Sequence, residues 1–164
     1  MPIDEKSDLL SMCGVVELDR VAPFAVGEKF QQGRVIDGVN VLWVGWSFDN
    51  DFFKKVEYPV NPATFYSYRL QKKTKALHII KELGSGTRDT ALSQLWEIVK
   101  AQGDGQQGLL LTDGSVNIVF ALNKFGEART VEAYWNVRAG GWGFGSRHAR
   151  DEYEFGTDVL VLAH

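Results

Sequence analysis

The second half of the chain alternates between hydrophobic and polar positions. Residues 108–112, 116–123, 130–137 and 142–148 each repeat with a period of two, which is typical of β-strands. The short segments that join them, TDGS, FGEA and RAGG, each contain glycine. Such segments suit the turns of antiparallel hairpins. The pattern predicts a meander in the C-terminal half, followed by one more strand over residues 158–163.

Strand patterns also occur in the first half of the chain. Residues 39–48 read VNVLWVGWSF, with apolar side chains on both faces, so we predict a central strand there. Residues 64–72 alternate and are rich in β-formers, which favours a further strand, and the β-branched residues over 15–21 indicate a short one. Residues 1–13 are expected to form a flexible arm or a short helix.

Two helices are predicted in the middle of the chain. Apolar side chains spaced at i, i+3, i+4 and i+7 predict an amphipathic helix over residues 90–102, which Gly103 can end in a left-handed conformation. A shorter helix is predicted over residues 76–83, ended by Gly84. The apolar stripe of the longer helix consists of Leu92, Leu95, Trp96 and Val99.

These elements predict an α+β fold. The chain has 164 residues, a length that suits one domain, and it contains no repeat, low-complexity tract or linker. We therefore expect a single α+β domain over residues 1–164. Its sheet is predicted to be mainly antiparallel, with the meander in the C-terminal half, and to pack against one or two central helices.

Composition indicates a folded protein of a reducing compartment. Hydrophobic residues make up 45% of the chain, with ten Phe and five Trp. Cys13 is the only cysteine, so this chain alone forms neither a disulfide nor a cysteine-based zinc site. No stretch approaches the ~20 apolar residues of a membrane span, and the acidic N-terminus does not resemble a secretory signal. We expect a cytoplasmic protein without membrane association.

The sequence does not predict a metal or cofactor site. Its three histidines are not clustered. Asp49 and Asp51, with Glu57 nearby, offer oxygen ligands for a hard cation, but the segment lacks the further ligands and the glycine of a calcium loop. A solvated turn is the favoured interpretation, and no cofactor is expected.

Basic residues are concentrated in the middle of the chain. Residues 54–100 hold nine Lys and Arg against four Asp and Glu, although the whole chain has a net charge of −3. Aromatic residues lie just upstream, and cations interleaved with rings suit single-stranded nucleic acid or another polyanion. The favoured alternative is that the rings face the core while the lysines solubilise the surface. The candidate binding residues in segment 69–88 are Arg69, Lys72, Lys73, Lys75 and Arg88.

The most unusual stretch, AYWNVRAGGWGFGSRHAR, spans residues 133–150. Gly140 and Gly141 fit a tight hairpin turn. Gly143 and Gly145 need a separate explanation, because glycine inside a strand often marks a bulge or a close approach by another group. The spacing is not that of a dinucleotide-binding fingerprint, and no helix pattern follows. A structural hairpin is favoured over a phosphate loop.

The same stretch contains a candidate catalytic group. His148 is a possible general base, with Arg147 and Arg150 holding an anionic substrate. This hypothesis requires the three side chains to line one pocket. A mixed-charge surface loop is the favoured interpretation.

The tryptophans offer candidate contact residues. Trp46 and Trp96 are expected in the core, whereas Trp43 and Trp142 are expected to be exposed and available for binding.

Three functional hypotheses follow. The first is a protein-interaction module without catalytic activity, which binds a protein partner or itself through an aromatic patch or an open sheet edge. The second is a nucleic-acid or anion binder that uses segment 69–88. The third is an enzyme that uses His148 with Arg147 and Arg150.

Overall fold

A mixed eight-stranded sheet forms the centre of the protein, whose computed structural model describes residues 7–164. The strands of the protein are β1 (Leu10–Leu18), β2 (Phe24–Ala25), β3 (Arg34–Ile36), β4 (Val39–Val44), β5 (Val56–Glu57), β6 (Ala63–Leu70), β7 (Thr74–Lys75), β8 (Asn117–Leu122), β9 (Ala128–Asn136), β10 (Gly141–His148), β11 (Glu154–Phe155) and β12 (Leu160–Ala163). The order of strands in the large sheet is β1-β6-β12-β8-β9-β10-β4-β3, and two-stranded sheets pair β11 with β7 and β2 with β5.

Most neighbouring strands are antiparallel. Only β12 with β8 and β10 with β4 pair in parallel among the described strands. Strands β8, β9 and β10 form consecutive antiparallel pairs, which confirms the last three of the four strands of the predicted meander. The protein is a single α+β domain, as predicted.

Helices cover the sheet on both faces. They are α1 (Val26–Lys29), α2 (Trp46–Phe52), α3 (Ala76–Leu83) and α4 (Leu92–Lys100), with a 3₁₀ helix at Ser85–Asp89 between α3 and α4. Buried residues of α1, α2 and α4 share one core with β4, β9 and β10. Helix α3 packs in a second core with β6, β8 and β12 on the other face. The sheet therefore separates two hydrophobic cores.

Helix α4 follows the predicted apolar stripe. Leu92, Leu95 and Val99 are buried. The backbone N–H groups of Leu92 and Ser93 donate to the two carboxylate oxygens of Glu57, at 2.9 and 2.8 Å. A carboxylate at this end satisfies N–H groups that have no partner within the helix, and its charge complements the helix dipole.

The predicted strand over residues 39–48 is wrong in its second part. Strand β4 ends at Val44, and α2 begins at Trp46. Phe48 and Phe52 are spaced by four residues and are both buried on the inner side of this helix. Helical spacing, and not strand alternation, therefore fits the apolar residues after Gly45.

Residues 108–112 do not form the predicted strand. Their backbone bonds to side-chain amides instead of to a neighbouring strand. The N–H of Leu110 donates to Gln102 Oε1 at 2.8 Å, and the N–H of Leu111 donates to Asn117 Oδ1 at 2.8 Å. These amides satisfy the backbone without a ladder.

The arm predicted over residues 1–13 is not found where the structure describes it, because β1 begins at Leu10. Residues 1–6 lie outside the described part. Strand β1 forms one edge of the large sheet, opposite the edge formed by β3. Within residues 7–164, no helix is long and apolar enough to cross a membrane.

Candidate functional site

Three glycines of β10 form a floor on one face of the sheet. Gly141, Gly143 and Gly145 alternate with Trp142 and Phe144, whose side chains enter the core on the opposite face. Side chains from the neighbouring strands lie over this floor. A β-carbon placed on Gly143 would lie 2.3 Å from Cζ of Tyr134, and one placed on Gly141 would lie 2.4 Å from Cγ of Leu42. Glycine is required at positions 141 and 143 because these side chains occupy the space above them.

Trp43 lies over the same floor, from β4, the strand on the other side of β10 from β9. Its indole would be 3.5 Å from a β-carbon on Gly145 and 2.8 Å from one on Gly45. The Trp43 and Tyr134 ring centroids are 6.3 Å apart. Trp46 follows Gly45 in the chain and begins α2. We call the ring pair of Trp43 and Tyr134, together with the exposed Trp46 at the start of α2, the aromatic platform.

Much of the aromatic platform is open to solvent. Trp43 is 45% exposed and Trp46 is 81% exposed. Tyr134 is half-buried, and burial, followed by the nearby charge of Glu132, raises the pKa of its hydroxyl. Trp46 was expected in the core; it is exposed because it begins α2, whose inner side carries Phe48 and Phe52.

An ion pair borders the aromatic platform. Arg147 Nε donates to Glu132 Oε1 at 2.7 Å, and the guanidinium lies 4.0 Å from the centre of the Tyr153 ring. Burial lowers the pKa of Arg147, but the hydrogen bond and charge of Glu132 outweigh this effect, so the pKa is raised. Arg147 is therefore a fixed cation stacked on an aromatic ring.

Trp142 is not an exposed contact residue. Its side chain is 0% exposed in the core, its indole N–H donates to the carbonyl of Gln102 at 3.1 Å, and its ring packs edge-on against Trp135. Alternation along β10 directs Trp142 to the face opposite the glycine floor. The prediction of exposure was wrong for this residue.

The basic segment is partly neutralised by acidic residues that follow β10. Lys73 lies 3.4 Å from Glu154, and Lys75 is ion-paired with Glu152. Arg69 donates to the carbonyl of Thr157 at 3.5 Å, while Lys72 is exposed. Upstream, Phe65 and Tyr68 are buried rather than open for stacking on bases.

A cleft of about 600 Å³ brings together residues that are distant in sequence. Arg88 of the 3₁₀ helix lines it, and so do His148 and Arg150 at the end of β10. Arg147 does not, because alternation turns it to the opposite face, where it pairs with Glu132. Arg147, His148 and Arg150 therefore do not line one pocket, and the geometric condition for the catalytic hypothesis is not met.

Two of the acidic residues considered for a cation, Asp51 and Glu57, are bonded to other groups of the protein. Asp51 is buried and is not in a solvated turn: its Oδ2 lies 2.7 Å from Arg129 Nε and accepts from Ser146 Oγ at 2.7 Å. Glu57 accepts from the start of α4, and burial raises the pKa of Asp49. Among residues 7–164, no group of three or more His, Cys, Asp or Glu is arranged to hold a metal ion.

Sequence reasoning identified Trp43 but missed Trp46 and Tyr134. The spacing of Phe48 and Phe52 was a signal that Trp46 begins a helix and lies outside its apolar stripe. Tyr134 carried no comparable signal, because its place above Gly143 depends on the pairing of β9 with β10.

Comparison with known proteins gives no assignment. No protein-family model matches the chain, and neither a curated protein nor a solved structure matches it. The side chains themselves are therefore the basis for a functional proposal.

Proposed function

We propose that this protein is a small cytoplasmic interaction module without catalytic activity, which binds a protein partner through the aromatic platform. The observation that carries the proposal is the exposure of Trp43 and Trp46, which are close in the chain, together with the Tyr134 ring that lies over glycine near Trp43. A cytoplasmic setting accords with the single cysteine, Cys13, whose thiol is free.

The chemistry of the platform favours a protein partner. Tryptophan, tyrosine and arginine are the residues most enriched among those that dominate interface energies. The platform provides the rings, and Arg147 provides a cation at its border, 2.7 Å from Glu132. Exposed aromatic groups with a polar border are typical of contact sites.

Rigidity supports the same conclusion. The Tyr134 ring contacts the backbone of β10 at Gly143, and Trp43 lies on β4, which pairs with β10. Side chains held on paired strands lose little conformational freedom when a partner binds, which reduces the entropic cost of association.

The location of the platform favours a macromolecule over a small ligand. Small ligands bind in concave pockets that bury most of their surface. Trp43 and Tyr134 lie on the face of the sheet formed by the glycine floor, Trp46 is exposed at the start of α2, and the lining of the cleft at Arg88 contains none of the three. A protein surface can cover such a face, with the rings as its anchors.

Site-specific photo-crosslinking in cell extract tests the proposal. A benzophenone amino acid replaces Trp46 in one variant and, as a matched control, Tyr58 in another. Tyr58 is 88% exposed and lies on a different part of the surface, in a cleft with Lys55 and His164. We expect a discrete adduct from position 46 that is missing from position 58.

Adding Trp43→Ala to the position-46 variant should abolish the adduct, because it removes a neighbouring anchor. An adduct of twice the chain mass would identify a second copy as the partner. The proposal fails if positions 46 and 58 give the same products, or if Trp43→Ala leaves the adduct unchanged.

A further inference from the structure

The cleft at Arg88 has the composition of an anion site. It lies between the 3₁₀ helix, the beginning of β9 and the end of β10. Its lining combines the cationic groups of Arg88 and Arg150 with His148 and with the apolar side chain of Leu77. We infer that this cleft binds a small molecule that carries one oxyanion group, phosphate or carboxylate, on an apolar body. This site is separate from the aromatic platform.

The two guanidinium groups are available for a ligand. Within residues 7–164, neither Arg88 nor Arg150 is paired with a carboxylate. The only bond of the Arg88 side chain is from Nε to the carbonyl of Ser85, at 3.4 Å. Arg150 is exposed, and its backbone, not its guanidinium, bonds to His148. Guanidinium groups bind phosphate and carboxylate through paired hydrogen bonds.

His148 contributes a further donor. Its Nδ1 accepts from the backbone N–H of Arg150 at 3.1 Å. In the neutral ring one nitrogen accepts and the other carries the proton, so this bond assigns the proton to Nε2. In this tautomer the Nε2–H group of His148 is the ring donor left for a ligand.

The cleft is built from fixed backbone. The N–H of Ala149 donates to the carbonyl of Ala128 at 3.1 Å, and that of Asp151 donates to the carbonyl of His148 at 2.9 Å. On the other wall, the N–H of Thr90 donates to the carbonyl of Phe120 at 3.0 Å. These bonds fix the backbone segments that carry Arg88 and Arg150 at the cleft before any ligand arrives.

The acidic residues of the cleft limit the charge of its ligand. Glu127 accepts from the Asn123 amide at 3.3 Å, and Asp89 lies beside Arg88. Their charges oppose a polyanion, whereas two arginines still accommodate a single oxyanion. A volume of about 600 Å³ fits a small molecule. Leu77, which is partly exposed, offers a contact for the uncharged body of the ligand.

Two probes separate the possible oxyanions. Phenyl phosphate and benzoate each carry one such group on an apolar ring, and benzyl alcohol is the neutral control. Backbone amide NMR spectra of the full chain are recorded during each titration. We expect at least one of the two anions to give saturable shifts at residues 85–89 and 148–150, while benzyl alcohol gives none. Binding of phenyl phosphate alone identifies phosphate, and binding of benzoate alone identifies carboxylate.

Four variants test the assignment to these residues. Arg88→Ala and Arg150→Ala should each weaken binding by about tenfold, since each removes a charge-assisted contact. Lys72→Ala, a charge change outside the cleft, should leave binding unchanged. Gly86→Trp should weaken binding without altering the charge of the cleft, because Gly86 lines the cleft and a side chain there meets no neighbour within 4 Å of its β-carbon.

The inference is overturned if neither anion gives saturable shifts in the cleft. It is also overturned if Arg88→Ala and Arg150→Ala both bind as tightly as the unchanged protein, or if benzyl alcohol binds equally well. The result does not depend on a protein partner, so it is independent of the proposed function.

Discussion

The ring of Tyr134 lies so close over Gly143 that any side chain at that position would displace it: a β-carbon there would be 2.3 Å from Tyr134 Cζ. Glycine is unfavourable inside a strand because it loses more conformational freedom than other residues. At position 143 glycine is required because the Tyr134 ring of the paired strand occupies the space of a side chain. The relationship explains an interior strand glycine without a ligand, and it fixes one ring of the aromatic platform.

This contact predicts a reversal of sign in a double-mutant cycle. Gly143→Ala in the unchanged protein should lower the free energy of unfolding by about 1 kcal/mol, because the new methyl group displaces Tyr134. In a Tyr134→Ala background the same substitution should be neutral or stabilising, since the space is vacant and alanine is better than glycine in a strand. Urea unfolding of the four proteins measures the cycle. Equal effects in both backgrounds would contradict the contact.

Two tryptophans should respond differently to truncation. Trp142→Ala is expected to cost about 3 to 5 kcal/mol, because it empties a core site and removes the bond from its indole to Gln102. Trp43→Ala should change the free energy of unfolding by less than about 1 kcal/mol, because the ring is half-exposed. Denaturant midpoints measure both. A large loss for Trp43→Ala would make it a core residue rather than a binding residue.

The buried pair of Asp51 and Arg129 should contribute strongly to stability. Asp51→Asn keeps the shape of the side chain but leaves the guanidinium without its counter-charge, and we expect a loss of about 3 kcal/mol. Glu154→Gln, in an exposed pair with Lys73, is the matched control and should change stability by less than about 0.5 kcal/mol. Thermal unfolding compares the two. Similar small effects would show that the Asp51 site is open to water.

Asp37 should make stability depend on pH in the acid range. Hydrogen bonds from Lys29, at 2.7 Å, and from the Trp96 indole, at 3.0 Å, lower the pKa of this carboxyl. A lowered folded pKa stabilises the fold above the unfolded value of about 3.9, and this contribution is lost as the pH falls through the folded value.

Asp37→Asn removes this charge and tolerates the φ of 52° at position 37. It should therefore be less stable than the unchanged protein at pH 7, by less than about 1 kcal/mol for so exposed a group, and the difference should disappear in strong acid. Urea unfolding from pH 7 to pH 2 measures it. A difference that persists at pH 2 would exclude a charge effect.

Local patterns predicted much of the fold. Helix α3, over Ala76–Leu83, has the predicted bounds, and the ends of β6, β8, β9 and β10 lie within two residues of those predicted. Their periodicity is a property of consecutive residues. The strand predicted at 108–112 was wrong because Gln102 and Asn117 satisfy its backbone, and a sequence does not reveal such partners.

The candidate sites were less predictable. Alternation along a strand was sufficient to separate Arg147 from His148, since neighbouring residues point to opposite faces. Arg88 lines the same cleft as His148 and Arg150 because the 3₁₀ helix packs against the sheet. The local sequence pattern around each residue does not predict that packing, since the residues are far apart in the chain. The aromatic platform depends in the same way on the order of β9, β10 and β4.

The most direct test of the proposed function follows the tryptophan indole N–H signals by NMR while the partner captured through position 46 is added to the unchanged protein. The five tryptophans give five such signals. We predict that the signals of Trp43 and Trp46 shift or broaden on binding, while those of Trp96 and Trp142, which lie in the core, keep their positions. If a complex forms while the Trp43 and Trp46 signals are unchanged, the aromatic platform is not the binding surface.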